Sequence, residues 1–232
     1  MTERGDPPGA ACVGIIMDGN RRWARSRGLP SIDGHTAGFA KAKEIIRHAF
    51  SRGIGTAILY AFSTENWNRA PEEVSYLMRL FANALADELA EISREGIRIR
   101  FLGDLARLPE ELRAAARKLE TESAAGGAEK TLAIALSYGG RAEILAAMNR
   151  LLAAGTRAVG EEEMNAALWS AGLPDPDLVI RTGGEKRLSG FLPWQSVYSE
   201  LFFTDTLWPD FSREEFDGIL AGFAARERRR GK

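Results

Sequence analysis

The sequence predicts an α/β protein, a single domain built on a mostly parallel central sheet of about six strands flanked by helices. Three observations predict it. Short apolar runs alternate with longer helical patterns along the whole chain, which is the signature of strands joined by crossover helices. Most of the runs are continuously apolar, as strands covered on both faces should be. And chemistry-bearing residues gather just after the runs, where an open parallel sheet places its ligands.

The elements follow in order. Residues 1–11, "MTERGDPPGAA", are rich in Gly and Pro and are expected to be a flexible N-terminus, so the folded unit runs from 12 to 232. The first strand is "VGIIM" (13–17), which stops at Asp18-Gly19-Asn20-Arg21-Arg22. A helix follows over 36–52, preceded by "DGHTAG", in which His35 reads as a cap or turn residue or as a phosphate or proton partner. His48, among Ile45, Ile46, Ala49 and Phe50, reads as structural. The second strand, "TAILYAF" (56–62), runs into "STENWNR". A long helix over 71–95 carries Val74, Leu77, Met78, Phe81, Leu85, Leu89 and Ile92 at spacings of three and four. It reads as core facing the sheet or as one wall of an apolar tunnel.

The third strand, "IRIRFLG" (97–103), alternates polar and apolar residues and belongs near an edge. After a helix over 109–124 come the strand "TLAIALS" (131–137), the glycines of "YGGR", and helices over 141–154 and 161–172. The strand "DLVIR" (177–181) ends in Arg181 and "TGGEKRLSGF", the strand "SELFF" spans 199–203, and a helix over 212–230 closes the chain. Its "RERRR" (226–230) reads as a charged helix end.

Composition narrows the function. The chain has 232 residues, 45 % of them hydrophobic, and a net charge of −1. Such a balance gives no global attraction to nucleic acid, so anion recognition must be local. One cysteine and two histidines exclude an intramolecular disulfide and argue against a Cys- or His-rich metal site. No run is long enough to span a bilayer and the N-terminus lacks a signal-peptide core, so a cytoplasmic protein is expected.

Locally, the strand ends suit phosphate capture. Arginines stand beside Gly19, Gly139, Gly140, Gly183 and Gly184, whose small size would let backbone N–H groups approach an anion. Neither GxxxxGK[ST] nor GxGxxG is present, which disfavours a nucleotide enzyme. Asp18 alone reads as a helix cap, but beside diphosphate-binding groups it reads as a Mg²⁺ ligand. Glu200 reads as a second metal ligand or as an ion-pair partner of an arginine. Trp67 reads as a core anchor or as a lid.

Taken together, "MDGNRRWA", "GHTAG", "YAFSTENWNR", "YGGR", "DLVIRTGGEKRLSGFLPWQSVYSELFFTDTLWPDF" and the terminal "RRRG" resemble the cis-prenyltransferases, most nearly those of the bacterial undecaprenyl diphosphate synthase type. The resemblance runs from Gly14 to Gly231. It implies a six-stranded sheet with an apolar tunnel, a homodimer, and a Mg²⁺-dependent condensation of isopentenyl diphosphate with an allylic diphosphate such as farnesyl diphosphate. The product implied is a polyprenyl diphosphate serving as a cell-wall carrier lipid, with peripheral membrane contact for its release. By position, Asp18 matches the metal-binding aspartate, and Gly19, Asn20 and Arg22, with Arg21 and Trp23 in the same motif, match the allylic diphosphate cradle. His35 matches an assisting histidine. Ser63, Glu65, Asn66, Trp67 and Arg69 lie in the segment that closes over the site, and Asn66 is implied to aid proton loss. Arg181, Arg187 and Ser189 match the isopentenyl diphosphate site, and Glu200 a second magnesium ligand. The sequence departs from the family pattern in four places. Arg21 stands where many members have glycine and Ser31 where many have arginine. Gly190 and Pro193 replace the usual Asn and Leu. These changes bear on the choice of primer more than on the reaction class. Small Ala61, where short-chain members tend to carry a bulky residue, implies a medium-to-long product. A short-chain or branching synthase and a non-catalytic binding subunit are the rival readings.

Overall fold

Six parallel strands form one sheet in the order β3-β4-β2-β1-β5-β6. The structure is a computed structural model of the chain and describes residues 10–226. The expected flexible segment therefore lies outside the described residues over 1–9, and so does most of "RERRR". The strands are β1 (Cys12–Ile16), β2 (Thr56–Ser63), β3 (Ile97–Leu102), β4 (Lys130–Tyr138), β5 (Leu178–Arg181) and β6 (Glu200–Phe203). Every residue of β1 and β5 is buried, and β3, with exposed Arg98, is an edge strand as its alternation requires.

The helices are α1 (Asn20–Ser26), α2 (Ser31–Ser51), α3 (Pro71–Ala86), α4 (Glu88–Arg94), α5 (Glu110–Ala124), α6 (Gly140–Ala153), α7 (Glu161–Ala167) and α8 (Arg213–Ala224). Apolar residues of α2, α3, α4, α5 and α8 form one core with Val13, Ile15, Leu59 and Phe62. The other face holds Ile16, Ile58, Tyr138 and Phe191 in a second cluster, and α6 and α7 pack in a third.

Three elements depart from expectation. The helix foreseen at 36–52 begins at Ser31, so His35 sits inside α2 and not before it. Its glycines are there for packing. A Cβ at Gly34 would lie 2.1 Å from the Asn20 carbonyl oxygen, and one at Gly38 2.2 Å from Asn20 Oδ1. The helix foreseen over 71–95 is two helices, broken at Asp87 (φ −109°, ψ −72°), a residue of weak helix propensity. The helix foreseen over 161–172 ends at Ala167.

The register brings the functional strand ends together. Ile16 pairs with both Tyr60 and Arg181, and Ser63 pairs with Tyr138. Between Tyr60 and Phe62 the β2–β4 register skips Ala61, a bulge that tips this small residue out of the ladder.

Candidate active site

Asp18 is the hinge of the site. Its amide donates to Thr182 Oγ1 (3.0 Å), and the Thr182 hydroxyl donates back to the Asp18 carbonyl (2.7 Å). This clasp fixes the end of β1 against the end of β5 and leaves the carboxylate free to face outward. The carboxylate does not cap α1, whose N-cap is Gly19 at φ 114° with no side-chain cap bond. Instead Oδ2 accepts from Arg181 Nη2 (2.8 Å) and Oδ1 lies 3.3 Å from Arg22 Nη2. Gly19 cannot be larger, because a Cβ there would press within 2.9 Å of Leu207. The first amides of α1 are left without intrahelical acceptors, as at every helix start.

Arg181 is 5 % exposed and is gripped on three sides. Its Nη1 donates to the Arg187 carbonyl (2.5 Å) and to Ser189 Oγ (2.7 Å), while Nε has no partner among the described residues. Ser189 adopts φ 51°, a left-handed conformation that costs energy in a non-glycine residue and is held by its surroundings. The Tyr60 hydroxyl lies 3.2 Å from the Ser189 carbonyl and 3.3 Å from that of Tyr138. Burial pushes the Tyr60 phenol upward, with Glu65 adding to the shift, so it remains a neutral donor. The Arg187 side chain is exposed and pairs with Glu185.

On the opposite flank, His35 is buried on α2 with Nε2 3.1 Å from Glu73 Oε1, and Glu73 also accepts from Arg69 Nη1 at 3.0 Å. Burial lowers the His35 pKa, opposed by the hydrogen bond to Glu73, and the charges of Arg69 and Arg21 lower it further. A carboxylate can only accept, so the neutral ring donates through Nε2–H and offers Nδ1 as an acceptor. Arg21 is exposed and lines a pocket over α1 together with His35 and Arg69. The Thr64–Asn68 turn after β2 is locked by Ser63 and Asn66, where the Ser63 amide donates to Asn66 Oδ1 at 3.1 Å.

Thus Asp18, Asn20, His35, Ser63, Glu65, Asn66, Arg69, Arg181 and Ser189 line one polar cleft, and Gly19, Arg21 and Arg22 line its continuation over α1. Four predicted residues do not line it: Arg187 gives only its carbonyl to Arg181 while its side chain pairs with Glu185, and Trp23, Trp67 and Glu200 stand elsewhere. Trp23 donates to Asp210 (2.7 Å) with Arg27 stacked on its ring. Trp67 is an anchor, donating to Ser137 Oγ (3.0 Å) and packing edge-on against Phe62. Glu200 starts β6 opposite Leu178, about 10 Å along the strands from Arg181, and pairs with Arg226. Within this chain it does not reach Asp18.

The glycine amides are also mostly spoken for. Gly183 and Gly184 donate to the carbonyls of Thr206 and Thr204, and Gly140 donates to that of Gly190. Their amides tie loops together and are unavailable to an anion. Residues the sequence reading passed over are Glu73, Thr182 and Tyr60. Glu73 reads as an ordinary acid in the first turn of a helix that Pro71 opens.

A second space opens from the cleft. Met17, Asn20, His35, Ala61 and Leu77 line both the cleft and an apolar cavity beyond it, walled by α2, α3, α4 and the sheet. Its void space, mouth included, is about 900 Å³. Among the described residues no group of three or more His, Cys, Asp or Glu side chains could form a metal cage. A single carboxylate among arginines instead fits Mg²⁺ that arrives on a diphosphate, since that ion keeps water and phosphate oxygens and needs few protein ligands.

Comparison with known proteins agrees with this arrangement. Residues 16–231 match the family described as "Putative undecaprenyl diphosphate synthase". An isoprenyl transferase of Chromobacterium violaceum is 46 % identical over 95 % of this chain and 87 % of its own. The ditrans,polycis-undecaprenyl-diphosphate synthase ((2E,6E)-farnesyl-diphosphate specific) of Escherichia coli is 43 % identical over 100 % of this chain and 93 % of its own. Among solved structures, lavandulyl diphosphate synthase from Lavandula x intermedia, in complex with dimethylallyl diphosphate, superposes with a TM-score of 0.93 at 35 % identity, covering 98 % of this chain and 100 % of that one. With strand ends that gather Asp18, Arg181 and Ser189 at the mouth of an apolar cavity, and with relatives of this kind matched along nearly its full length, the chain is a prenyltransferase of the undecaprenyl diphosphate synthase family.

Proposed function

We propose that the chain is a Mg²⁺-dependent cis-prenyltransferase that adds isopentenyl diphosphate repeatedly to an allylic diphosphate, farnesyl diphosphate in the first instance, to make undecaprenyl diphosphate. One observation carries the reading. The polar cleft around Asp18 and Arg181 opens directly into an apolar cavity, with the small Ala61 at the junction.

In this reading Arg181 and Ser189, with Arg187, hold the diphosphate of isopentenyl diphosphate, and the first amides of α1 with Arg21 and Arg22 hold that of the allylic substrate. Asp18 would hold Mg²⁺, which supplies charge neutralisation for the departing diphosphate. As the allylic C1–O bond breaks, the diphosphate leaves with the bonding pair, and arginines beside it stabilise the charge it gains. C1 bonds to C4 of isopentenyl diphosphate, and C2 of that unit loses a proton in the neighbourhood of Asn66 and Ser63. Apolar walls beyond Ala61 keep water from the cation and receive the growing chain. His35 positions Glu73 and Arg69 on the allylic flank. The enzyme works as a homodimer, since Leu145, Leu152, Val197 and Tyr198 are all more than 60 % exposed, and it touches membranes only peripherally to release product. Among the described residues no helix is long and apolar enough to cross a membrane.

A short-chain or branching synthase is the rival, favoured by Arg21, by Ser31 and by the close superposition with lavandulyl diphosphate synthase. Labelled isopentenyl diphosphate with Mg²⁺, offered with dimethylallyl, geranyl or farnesyl diphosphate and resolved by chromatography, separates the two. A long ladder from farnesyl diphosphate supports the carrier-lipid synthase. A single short product, or activity with dimethylallyl diphosphate alone, selects the rival.

A further inference from the structure

Charged pairs bridge the two helical walls over the far end of the apolar cavity, where Ile46, Leu89 and Ile92 line it, and that bridge bears on how long a chain the enzyme can make. Helix α2 and the α3–α4 pair set out together, tied by His35–Glu73 at 3.1 Å and Thr36 Oγ1–Tyr76 Oη at 2.7 Å. They meet again where Lys43 Nζ lies 3.6 Å from Glu91 and Arg47 Nη2 lies 3.1 Å from Glu91 and 2.6 Å from Glu95. From Thr36 to Lys43 α2 advances seven residues, about 10 Å. From Tyr76 to Glu91 the other wall advances fifteen residues, about 22 Å if helical throughout. The longer wall can meet the shorter one only by bending, and it is broken at Asp87. Inside the bend lie Phe39, Ala42, Leu80, Phe81, Ala84 and Leu85, which line the cavity.

The space inside is finite. Even the 900 Å³ that counts the open mouth, at about 30 Å³ per heavy atom, the share one water takes in the liquid, holds at most about thirty carbons. An eleven-unit prenyl chain has fifty-five. The mouth is taken by the diphosphates, and the floor is strand, with Phe101, Leu132 and Ile134 buried in the hydrogen-bonded β3–β4 pair. At the remaining end Lys43 stands beside Ile46, Leu89 and Ile92 and pairs across to α4. Half-exposed ion pairs hold weakly against a packed sheet.

We propose that Lys43, Arg47, Glu91 and Glu95 form a latch between α2 and α4, and that a growing chain passes the cavity's capacity by parting it. The latch residues thereby set product length without touching the diphosphates. This deepens the prenyltransferase reading and rests on its tunnel.

The test uses the doubly substituted enzyme Lys43→Cys/Glu91→Cys, whose only other cysteine, Cys12, is buried. A bifunctional maleimide with a cleavable disulfide spacer joins the two positions, and products from labelled isopentenyl diphosphate and farnesyl diphosphate are sized before linking, after linking and after cleavage. The expected result is a ladder that stops near six units while the link is intact, that lengthens again on cleavage, and whose first condensation changes less than twofold throughout. An unchanged ladder in the linked enzyme overturns the proposal, as does a first condensation lost along with the later ones. Should the unsubstituted enzyme make only a short product, the long-chain reading fails while the latch is still decided by Glu91→Ala/Glu95→Ala. A product longer by at least one unit in that variant upholds the latch, and an unchanged product overturns it.

Discussion

Asp18 shows how one side chain is committed by its neighbours. Two guanidiniums share its carboxylate, and Thr182 holds its backbone, so its direction is set before any ligand arrives. Asp18→Asn keeps the shape and removes the charge. Turnover should fall by about 10²–10³, with the far-UV spectrum unchanged, and a near-normal rate would remove Asp18 from the reaction. His35 gives a pH dependence. Burial above all, then Arg69 and Arg21 lower its pKa from 6.5 in spite of Glu73. The unfolded chain then binds more protons than the folded one just below pH 6.5, so stability falls on acidification through that range. Glu73, also lowered, loses its contribution only below its ordinary 4.5, its own burial being outweighed by His35 and Arg69. His35→Gln should therefore flatten the melting temperature between about pH 6.5 and 5, leaving the fall below 4.5; an undiminished slope above pH 5 would contradict a neutral buried ring. Residues that directly follow a strand were legible in the sequence, because the ends of parallel strands converge in space. Glu73 was not, since its partner His35 is 38 positions away and nothing local marks the pair. Nor could the engagement of the Gly183 and Gly184 amides by residues 204 and 206 be read from a Gly-Gly pair.

Elements carry the next level of control. The loop from Arg187 to Ser196 has no regular structure, yet it presents Ser189 and the Arg187 carbonyl to Arg181. Behind it Glu143 of α6 is 1 % exposed and accepts from the Tyr138 hydroxyl, the Ser170 amide (3.0 Å) and Gln195 Nε2 (3.0 Å). Glu143→Ala strands three buried donors. It should cost about 2–4 kcal/mol of stability and raise the KM for isopentenyl diphosphate while that for the allylic substrate holds. Equal changes in both constants would mean that the network supports the fold alone. The Ala61 bulge works the other way, by leaving room. Ala61→Leu should shorten the product by at least one unit without abolishing the first condensation, and unchanged length would detach the cavity from the growing chain. Strand and helix alternation was readable from periodicity. The break at Asp87 was not, because Leu85, Leu89 and Ile92 keep helical spacing across it. The curvature comes from where α4 must meet α2, a tertiary demand with no local signal.

For the molecule as a whole, one sheet divides the work. One face carries the cavity under α2, α3 and α4, and the other carries α6, α7 and the loop that grips Arg181. Strand order was beyond the sequence, because periodicity shows that a strand is buried and not beside which neighbour. The second face is also incomplete. Tyr198 is 82 % exposed and Val197 69 %, just before the edge strand β6, while Leu145 and Leu152 stand out seven residues apart on one side of α6. A monomer has little reason to leave so many large apolar side chains in water, and an open edge strand beside them invites pairing. A homodimer through this face would bury them. Tyr198→Glu places a charge at the centre of that contact while leaving the cleft and cavity untouched. Sedimentation should then show the monomer mass for the variant and the dimer mass for the unsubstituted chain. A variant that stays dimeric would move the interface to another face, and an unsubstituted chain that sediments as a monomer at all concentrations would make these side chains a surface for something other than a second copy.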